Sequence, residues 1–268
     1  MARLMILFTI FFGGMDVSEM DAMNESPAGK KEKLVALTGA GMSAESGLKT
    51  FRDADGLWEN YKVEDVASID GWRRNPKLMM DFYNGRRTQL ENAEPNEGHR
   101  ILAELEEFFD VEVITQNVDN LHERAGSTRV LHLHGELTKV RSEGDEDTVW
   151  DIGYRRVEYG ERAEPQKGFP GGDGGLLRPH IVWFGEAVPM ITEAERLVRG
   201  ADIFVVIGSS LVVYPAAGLI HDLRGGTRTF LIDPKEVSVP SNYHFQVIRE
   251  GASKGMAILR ERLLEDRD

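Results

Sequence analysis

The chain has 268 residues, of which 41% are hydrophobic and 29% charged, a composition typical of globular enzymes and unlike that of disordered chains. Its net charge of −13 argues against a nucleic-acid-binding protein, and no apolar run is long enough for a membrane-spanning helix. The absence of cysteine excludes disulfides, thiolate metal sites and thiol catalysis. The length allows one sizeable core with a smaller added module.

Residues 1–30 open with "MARLMILFTIFFGG", which has the crude outline of a signal peptide but no clear cleavage site. We expect this segment to be an N-terminal extension, disordered or upstream of the working start, and we place the folded domain at residues 31–268. Without a convincing signal or anchor, the cytoplasm is the expected compartment.

Apolar runs and helical spacing alternate along the folded part of the chain. Strands are predicted at 33–37, 111–115, 129–135, 178–184, 201–208 and 227–233, and helices at 75–92, 95–109, 189–199, 215–224 and 253–265. This alternation indicates an α/β fold with a doubly wound, Rossmann-like, mostly parallel sheet, whose ligands bind at the carboxyl ends of the strands.

Two segments depart from the alternation. Residues 60–92 look helical, and residues 139–176 are rich in glycine and charged residues. We therefore predict a core made of residues 31–59, 93–138 and 177–268, with a small inserted module formed by the two departing segments.

A glycine-rich turn, "TGAGMS", follows the first strand. Gly39 and Gly41 allow a sharp turn whose backbone N–H groups suit a pyrophosphate. The glycine spacing differs from G-x-G-x-x-G, and no acidic residue ends a second strand about twenty positions on, so a standard dehydrogenase fits poorly. From these residues alone, a plain tight turn is an equal alternative.

Polar side chains also follow the second predicted strand. Gln116, Asn117 and Asp119 come at its carboxyl end, where they could hold a sugar. The alternative is a polar turn in which Asn117 or Asp119 caps a helix.

The stretch "LHLHG" places His132 and His134 on one face of the third predicted strand. His134 stands at the strand's end, where a base would meet a ligand, and His132 is expected to be a packed core residue. A third ligand at a recognisable spacing is missing, so we predict no metal there.

Five motifs taken together resemble the sirtuins, the NAD-dependent protein lysine deacylases. They are, in order, "GAGMSAESGLKTFR", "TQNVD", "LHGEL", "RPHIVWFGE" and "VIGSSLVVYPAA", and the resemblance runs from about Lys33 to the C-terminus. The segments "HLHGELTKVR" and "RPHIVWFGE" are most similar to the branch shared by bacterial and mitochondrial deacylases. The resemblance implies NAD as co-substrate, acylated lysine in proteins or peptides as substrate, and nicotinamide and O-acyl-ADP-ribose as products.

The resemblance also implies roles for individual residues. His134 would be the general base, and Val182, Phe184 and Gly185 would pair with the substrate peptide. The residues implied to bind NAD are Gly39, Ala40, Gly41 and Ser43 at the pyrophosphate, Phe51, Arg52, Gln116, Asn117 and Asp119 at the nicotinamide and its ribose, Gly208, Ser209, Ser210, Asp233 and Ala252 at the adenosine, and Trp58 in the same set.

Tyr83 and Arg86 lie three residues apart on a predicted helix, so they project from one face. Such a pair on an exposed helix is usually a solvated face. The resemblance adds a function, because this branch of the sirtuins uses Y-x-x-R to bind acidic acyl groups. It implies desuccinylase and demalonylase activity beside deacetylase activity.

The chain departs from most sirtuins in its small module. The family's four zinc-binding cysteines are missing, residues 139–177 contain no histidine either, and Ser142 stands where the first cysteine is usual. We predict no zinc, since carboxylates alone do not make a structural zinc site. The module is then expected to be held by packing of Val149, Trp150, Ile152, Tyr154 and Tyr159.

Two other functions are compatible with the motifs. One is an NAD-binding module without deacylase activity, and the other is an NADase or ADP-ribosyltransferase using His134 and Asn117. The intact "RPHIVWFGE" favours the deacylase, because a plain NADase needs no strand that pairs with a substrate. A monomer is the default expectation.

Overall fold

A six-stranded parallel sheet forms the centre of the computed structural model, which describes residues 31–49, 57–58, 61–241 and 243–265. The described elements belong to one unit, residues 32–268. The strands are β1 (Lys33–Thr38), β2 (Leu57–Trp58), β3 (Tyr61–Lys62), β4 (Asp110–Thr115), β5 (Val130–His132), β6 (Gly135–Ser142), β7 (Val149–Asp151), β8 (Leu177–Ile181), β9 (Ile203–Ile207), β10 (Arg228–Ile232) and β11 (Gln246–Ile248).

Helices cover both faces of this sheet and build most of the small module. They are α1 (Ala40–Ala44), α2 (Val63–Val66), α3 (Ile69–Arg74), α4 (Pro76–Glu91), α5 (Glu97–Glu104), α6 (Leu121–Ala125), α7 (Ile191–Arg199) and α8 (Ala252–Glu265), with 3-10 segments at Leu105–Glu107, Pro165–Lys167 and Ala216–Asp222. Among the described residues, no helix has the length and apolar character needed to cross a membrane.

The parallel sheet has the strand order β11-β10-β9-β1-β4-β5. Successive residues of β1 point to opposite faces, so Leu34 and Ala36 pack on one side against α5 and α8, while Val35 and Leu37 pack on the other against α7. Burial on both faces confirms the doubly wound architecture. Strands β4 and β5 extend the sheet on one side of β1, and β9, β10 and β11 extend it on the other. A ligand cleft is expected next to β1, where the direction of strand addition reverses.

Two of the predicted strands differ from the structure. The run 129–135 breaks after His132, and Gly135 begins the next strand with a φ of 78°. Glycine is also required there because a side chain would lie 2.1 Å from the carbonyl oxygen of His180. The strand predicted at 178–184 forms as β8, but it pairs antiparallel with β6 in a small sheet of order β7-β6-β8. Periodicity alone does not reveal which sheet a strand joins.

The small antiparallel sheet and α4 share a separate apolar cluster. Its members include Met79, Met80, Phe82, Leu137, Val140, Val157, Phe169, Leu177 and Ile181. Of the residues expected to hold this module, Trp150, Ile152 and Tyr154 pack against the cluster, but Tyr159 is 45% exposed and the expectation for it is wrong. Val157 and Phe169, which the sequence did not single out, are buried in this cluster.

Candidate active site

The turn after β1 lies directly against the end of β9. The N–H of Gly41 donates to the carbonyl of Gly208 at 2.9 Å, and the N–H of Gly39 donates to that of Ile207 at 3.0 Å. A side-chain carbon at Gly39 would lie 2.7 Å from the oxygen of Gly208, and one at Gly41 would lie 2.6 Å from its Cα. These glycines are therefore needed for the contact between two loops, beyond forming a turn.

The loop after β4 is joined to both of these loops through side chains. The amide Nδ2 of Asn117 donates to the carbonyl of Gly39 at 3.0 Å and to Ser43 Oγ at 3.1 Å. Gln116 Nε2 donates to Ser209 Oγ at 2.8 Å. The structure thus gathers residues from the carboxyl ends of three neighbouring strands into one polar cleft.

Asp119 completes the cluster below Asn117. Its Oδ2 accepts from Ser43 Oγ at 2.9 Å, and its Oδ1 accepts from the N–H of Leu121 at 3.2 Å. Burial raises the pKa of Asp119. The residue at the N-cap of α6 is Asn120, so the capping alternative for Asn117 is wrong, while Asp119 gives the helix one hydrogen bond from outside the cap position.

His134 lies between β5 and β6 with its ring against the loop after β4. Its Nδ1 donates to the carbonyl of Gln116 at 2.9 Å, which leaves the lone pair on Nε2. Burial lowers the pKa of His134, so the ring is neutral near pH 7. A neutral imidazole with a fixed tautomer is the form a general base requires.

The His132 side chain is largely buried, as expected, with 7% of it exposed, and it is also hydrogen-bonded to polar groups. Its Nδ1 donates to the carbonyl of Asn117 at 3.1 Å and its Nε2 to Glu123 Oε1 at 2.8 Å. Burial acts to lower the pKa of His132, but the Glu123 carboxylate outweighs it and the pKa is raised. Glu136 offers a third ligand atom within 4.8 Å, but its carboxylate already holds the Lys139 ammonium at 2.5 Å.

A buried chain of hydroxyls and imidazoles supports Asn117 from below. The N–H of Asn117 donates to Thr115 Oγ1 at 3.0 Å, Thr38 Oγ1 donates to Thr115 Oγ1 at 2.8 Å, and His122 Nε2 lies 3.1 Å from Thr38 Oγ1. The ring of His99 lies against that of His122, with centroids 4.8 Å apart. Sequence reasoning missed this chain because its members are distant in sequence.

These two histidines predict acid sensitivity of the fold. Burial lowers the pKa of His99 to about 4, and burial also lowers that of His122. As pH falls from about 6.5 towards 4, these histidines become protonated in the unfolded chain but stay neutral in the folded one. The free energy of unfolding therefore falls by about 1.4 kcal/mol per pH unit for each histidine. Thermal unfolding of His99→Gln should show a shallower loss over this range than the unsubstituted protein. The exposed His221→Gln is the control, and equal slopes in all three proteins would contradict the prediction.

The remaining residues implied to bind NAD are distributed around the same edge of the sheet. Ser210 is exposed after β9, Asp233 is half-buried after β10 with Oδ1 accepting from the N–H of Lys235 at 2.8 Å, and Ala252 is buried at the start of α8. Phe51 and Arg52, and the side chain of Trp58, lie outside the described residues.

Tyr83 and Arg86 lie on α4 and are buried, with 1% and 8% of their surfaces exposed, so the interpretation as a solvated face is wrong. The Tyr83 hydroxyl accepts from Trp183 Nε1 at 2.8 Å, and Arg86 Nη1 donates to Gln89 Oε1 at 2.8 Å. Burial raises the pKa of Tyr83, which keeps the phenol protonated. The pair thus presents a phenol and a guanidinium to the same buried region.

The segment 182–185 links His134 to the turn between α2 and α3. The N–H of Val182 donates to the carbonyl of His134 at 3.0 Å. Both backbone groups of Phe184 are hydrogen-bonded to the α2–α3 turn. Its N–H donates to the carbonyl of Ala67 at 2.9 Å, and its carbonyl accepts from the N–H of Ile69 at 3.0 Å. Its ring is 44% exposed. The backbone groups of Phe184 are thus already hydrogen-bonded within the chain, which counts against the prediction that this residue pairs with a peptide.

Hydrogen bonds tie together the two ends of the segment between Ser142 and Gly175, where the sequence lacks cysteine. Ser142 Oγ accepts from the N–H of Gly144 at 3.2 Å, and Asp173 Oδ1 accepts from that of Gly175 at 2.8 Å. The Ser142 hydroxyl bonds the Asp173 carboxylate and holds its pKa below the usual range. A serine–aspartate contact thus joins the two ends of this segment.

Comparisons with known proteins agree with this arrangement. A sequence model of the Sir2 family matches residues 39–215. An NAD-dependent protein deacylase of Bacteroides thetaiotaomicron is 55% identical over 233 residues, which are 87% of this chain and 98% of that protein. A Sir2 homologue solved with NAD is 36% identical with a TM-score of 0.76, over 95% of this chain and 96% of that one. A Sir2 complex with a p53 peptide and NAD+ is 28% identical with a TM-score of 0.67, over 94% and 98%.

Proposed function

Because this chain belongs to the Sir2 family and is an NAD-dependent protein deacylase, we propose that it removes acetyl groups from lysine side chains and also removes succinyl and malonyl groups. The observation that supports the wider range is the burial of Arg86 beside Tyr83. A guanidinium fork and a phenol match the two oxygens of a carboxylate. An acetyl group has no charge to place there.

The residues of the cleft fit NAD. The contacts at Gly39, Gly41 and Gly208 leave no room for side chains. The wall of the cleft is therefore formed by backbone where phosphates would approach. Gln116 and Asn117 add amide groups held in place by Ser209 and Ser43. When bound, NAD supplies the ADP-ribose that accepts the acyl group as nicotinamide leaves.

We assign the role of the base in this reaction to His134. The carbonyl of Gln116 holds its Nδ1 proton, so Nε2 is the nitrogen that takes a proton from a ribose hydroxyl. Its own carbonyl accepts from Val182, which brings the base and the substrate-pairing segment within one hydrogen bond of each other. We therefore assign acyl-lysine to the space between His134 and segment 182–185, with its acyl end towards Tyr83 and Arg86.

The release of nicotinamide by purified protein tests this proposal. We expect release from NAD to require an acylated peptide, and we expect acetyl-, malonyl- and succinyl-lysine peptides each to support it. Release without peptide would identify an NADase instead. Release with acetyl-lysine alone would contradict the proposed acidic acyl substrates and leave the deacylase intact.

A further inference from the structure

A charged pocket opens beside the segment proposed to pair with the peptide. It has a volume of about 530 Å³, and its lining includes Val182 and Gly185 of that segment. Its floor contains Arg141, Arg178 and Glu186, and each of the two arginines is only 5% exposed. We refer to it as the Arg141 pocket. No role in the proposed reaction uses these three side chains.

The single carboxylate of the floor is engaged mainly by one of the two arginines. Arg178 donates from Nη1 and Nη2 to the two oxygens of Glu186 at 2.8 and 3.0 Å, and its guanidinium lies 3.7 Å from the ring centroid of Trp183. Glu186 Oε2 also accepts from the N–H of Trp183 at 2.8 Å. The three hydrogen bonds described to the Glu186 carboxylate thus come from Arg178 and Trp183, and none comes from Arg141.

The positive charge of the Arg141 guanidinium is consequently only partly neutralised. Its Nη2 lies 3.6 Å from Glu186 Oε1, outside hydrogen-bonding distance, and its Nε is buried without a partner among the described residues. Burial lowers the pKa of Arg141, and the neighbouring Arg178 adds to this effect. Two buried guanidinium groups share one carboxylate, and an uncompensated buried charge is costly unless a ligand neutralises it.

We propose that the Arg141 pocket binds the carboxylate of an aspartate or glutamate that flanks the acyl-lysine in the substrate protein. This inference rests on the proposed function, because it needs the peptide to lie along segment 182–185. In an extended peptide, side chains on one face recur about every 6.5–7 Å, so a residue a few positions from the acyl-lysine reaches the neighbouring pocket. The planar fork of Arg141 suits a carboxylate.

The rim of the pocket modifies this preference. Arg73 is exposed and bonded to Asp70, while Glu143 accepts from the indole N–H of Trp72. Glu146 is exposed and lies close enough to Arg141 to interact with it electrostatically. Removing the Glu146 charge should therefore strengthen the binding of an acidic side chain.

Matched peptides test the proposal. One acetyl-lysine peptide with neutral flanks is varied by single Asp or Glu substitutions at three positions on either side, each paired with its Asn or Gln counterpart. At one position we expect kcat/KM for the acidic peptide to exceed that of the amide peptide about tenfold through a lower KM, which corresponds to about 1.4 kcal/mol. A ratio near one at every position would overturn the proposal.

Variants then assign the preference to the pocket. In Arg141→Gln the acid-to-amide ratio should fall to about one, whatever the activity of the variant on the neutral peptide. Arg156→Gln, which replaces an exposed arginine of the same module outside the pocket, should keep the full ratio. Equal ratios in these two variants would contradict the assignment.

Glu146→Gln keeps the proposal testable if Arg141→Gln does not fold. This rim substitution should raise the acid-to-amide ratio about twofold to threefold, and an unchanged or lower ratio would count against the pocket. Turnover of none of the acetylated peptides would refute the proposed function instead. In that event, calorimetric binding of the same peptides to the full chain still decides the matter, because tighter binding of the acidic member supports the pocket and equal binding refutes it.

Discussion

His134→Ala is expected to reduce deacylation by about 10²–10⁴-fold, the usual contribution of a general base. The reason lies in the ring's surroundings, since the carbonyl of Gln116 fixes the Nδ1 proton and burial keeps the ring neutral. The measurement is kcat for NAD-dependent deacetylation of a peptide, together with the melting temperature. We expect the melting temperature to change little, because within the described part of the chain the His134 side chain makes one hydrogen bond.

His132→Ala is the informative comparison. This substitution removes hydrogen bonds to both Glu123 and Asn117, so we expect it to lower the melting temperature more than His134→Ala does. Loss of turnover should be smaller than for His134, because His132 acts on Asn117 through its backbone. If the His132 variant lost more turnover and the His134 variant more stability, the assignment of the base would be wrong.

Arg86→Met should abolish desuccinylation selectively. A succinyl carboxylate would enter a buried region without its guanidinium partner, and loss of one member of a buried charge pair costs about 2–5 kcal/mol, or roughly 30-fold to several thousandfold in kcat/KM. Methionine retains much of the side chain's apolar length, so deacetylation should stay within about threefold of the unsubstituted rate. The two rates are measured on one peptide carrying either acyl group.

Lys77→Met is the matched control on the same helix, where Lys77 is exposed and paired with Asp81. It should change neither rate. Equal losses of deacetylation and desuccinylation in Arg86→Met would show that the substitution damages the fold of the module, and would remove the support for acidic acyl substrates.

The parallel core could be predicted because its strands are short apolar runs buried on both faces. Strand 203–207 is one such run, and it forms almost where the sequence placed it. Strand β8 (Leu177–Ile181) was also predicted as a buried strand, but it joins the antiparallel sheet by pairing with β6, which begins at Gly135. A local pattern predicts a strand, whereas its partner depends on contacts far along the chain.

The polar residues of the cleft were found as separate clusters at the ends of strands. Gln116, Asn117 and Asp119 were visible because three polar groups follow a buried strand. The buried hydroxyl and imidazole groups beneath them could not be found in this way. In the sequence Thr38 and His122 look like ordinary strand-end and helix residues, and only the structure shows that Thr38 links His122 to Thr115. Arg141 likewise looks like a surface residue until the sheet buries it.

The contact between Gly41 and Gly208 also constrains how this site could change over generations. A methyl group on Gly41 would lie 2.6 Å from the Cα of Gly208, and one on Gly208 would lie 2.4 Å from the backbone nitrogen of Met42. Because these are backbone atoms that every residue carries, a substitution at one position cannot be relieved by a substitution at the other. A library that randomises both loops at once should therefore still return glycine at both positions almost without exception, and new cleft shapes must come from the neighbouring positions.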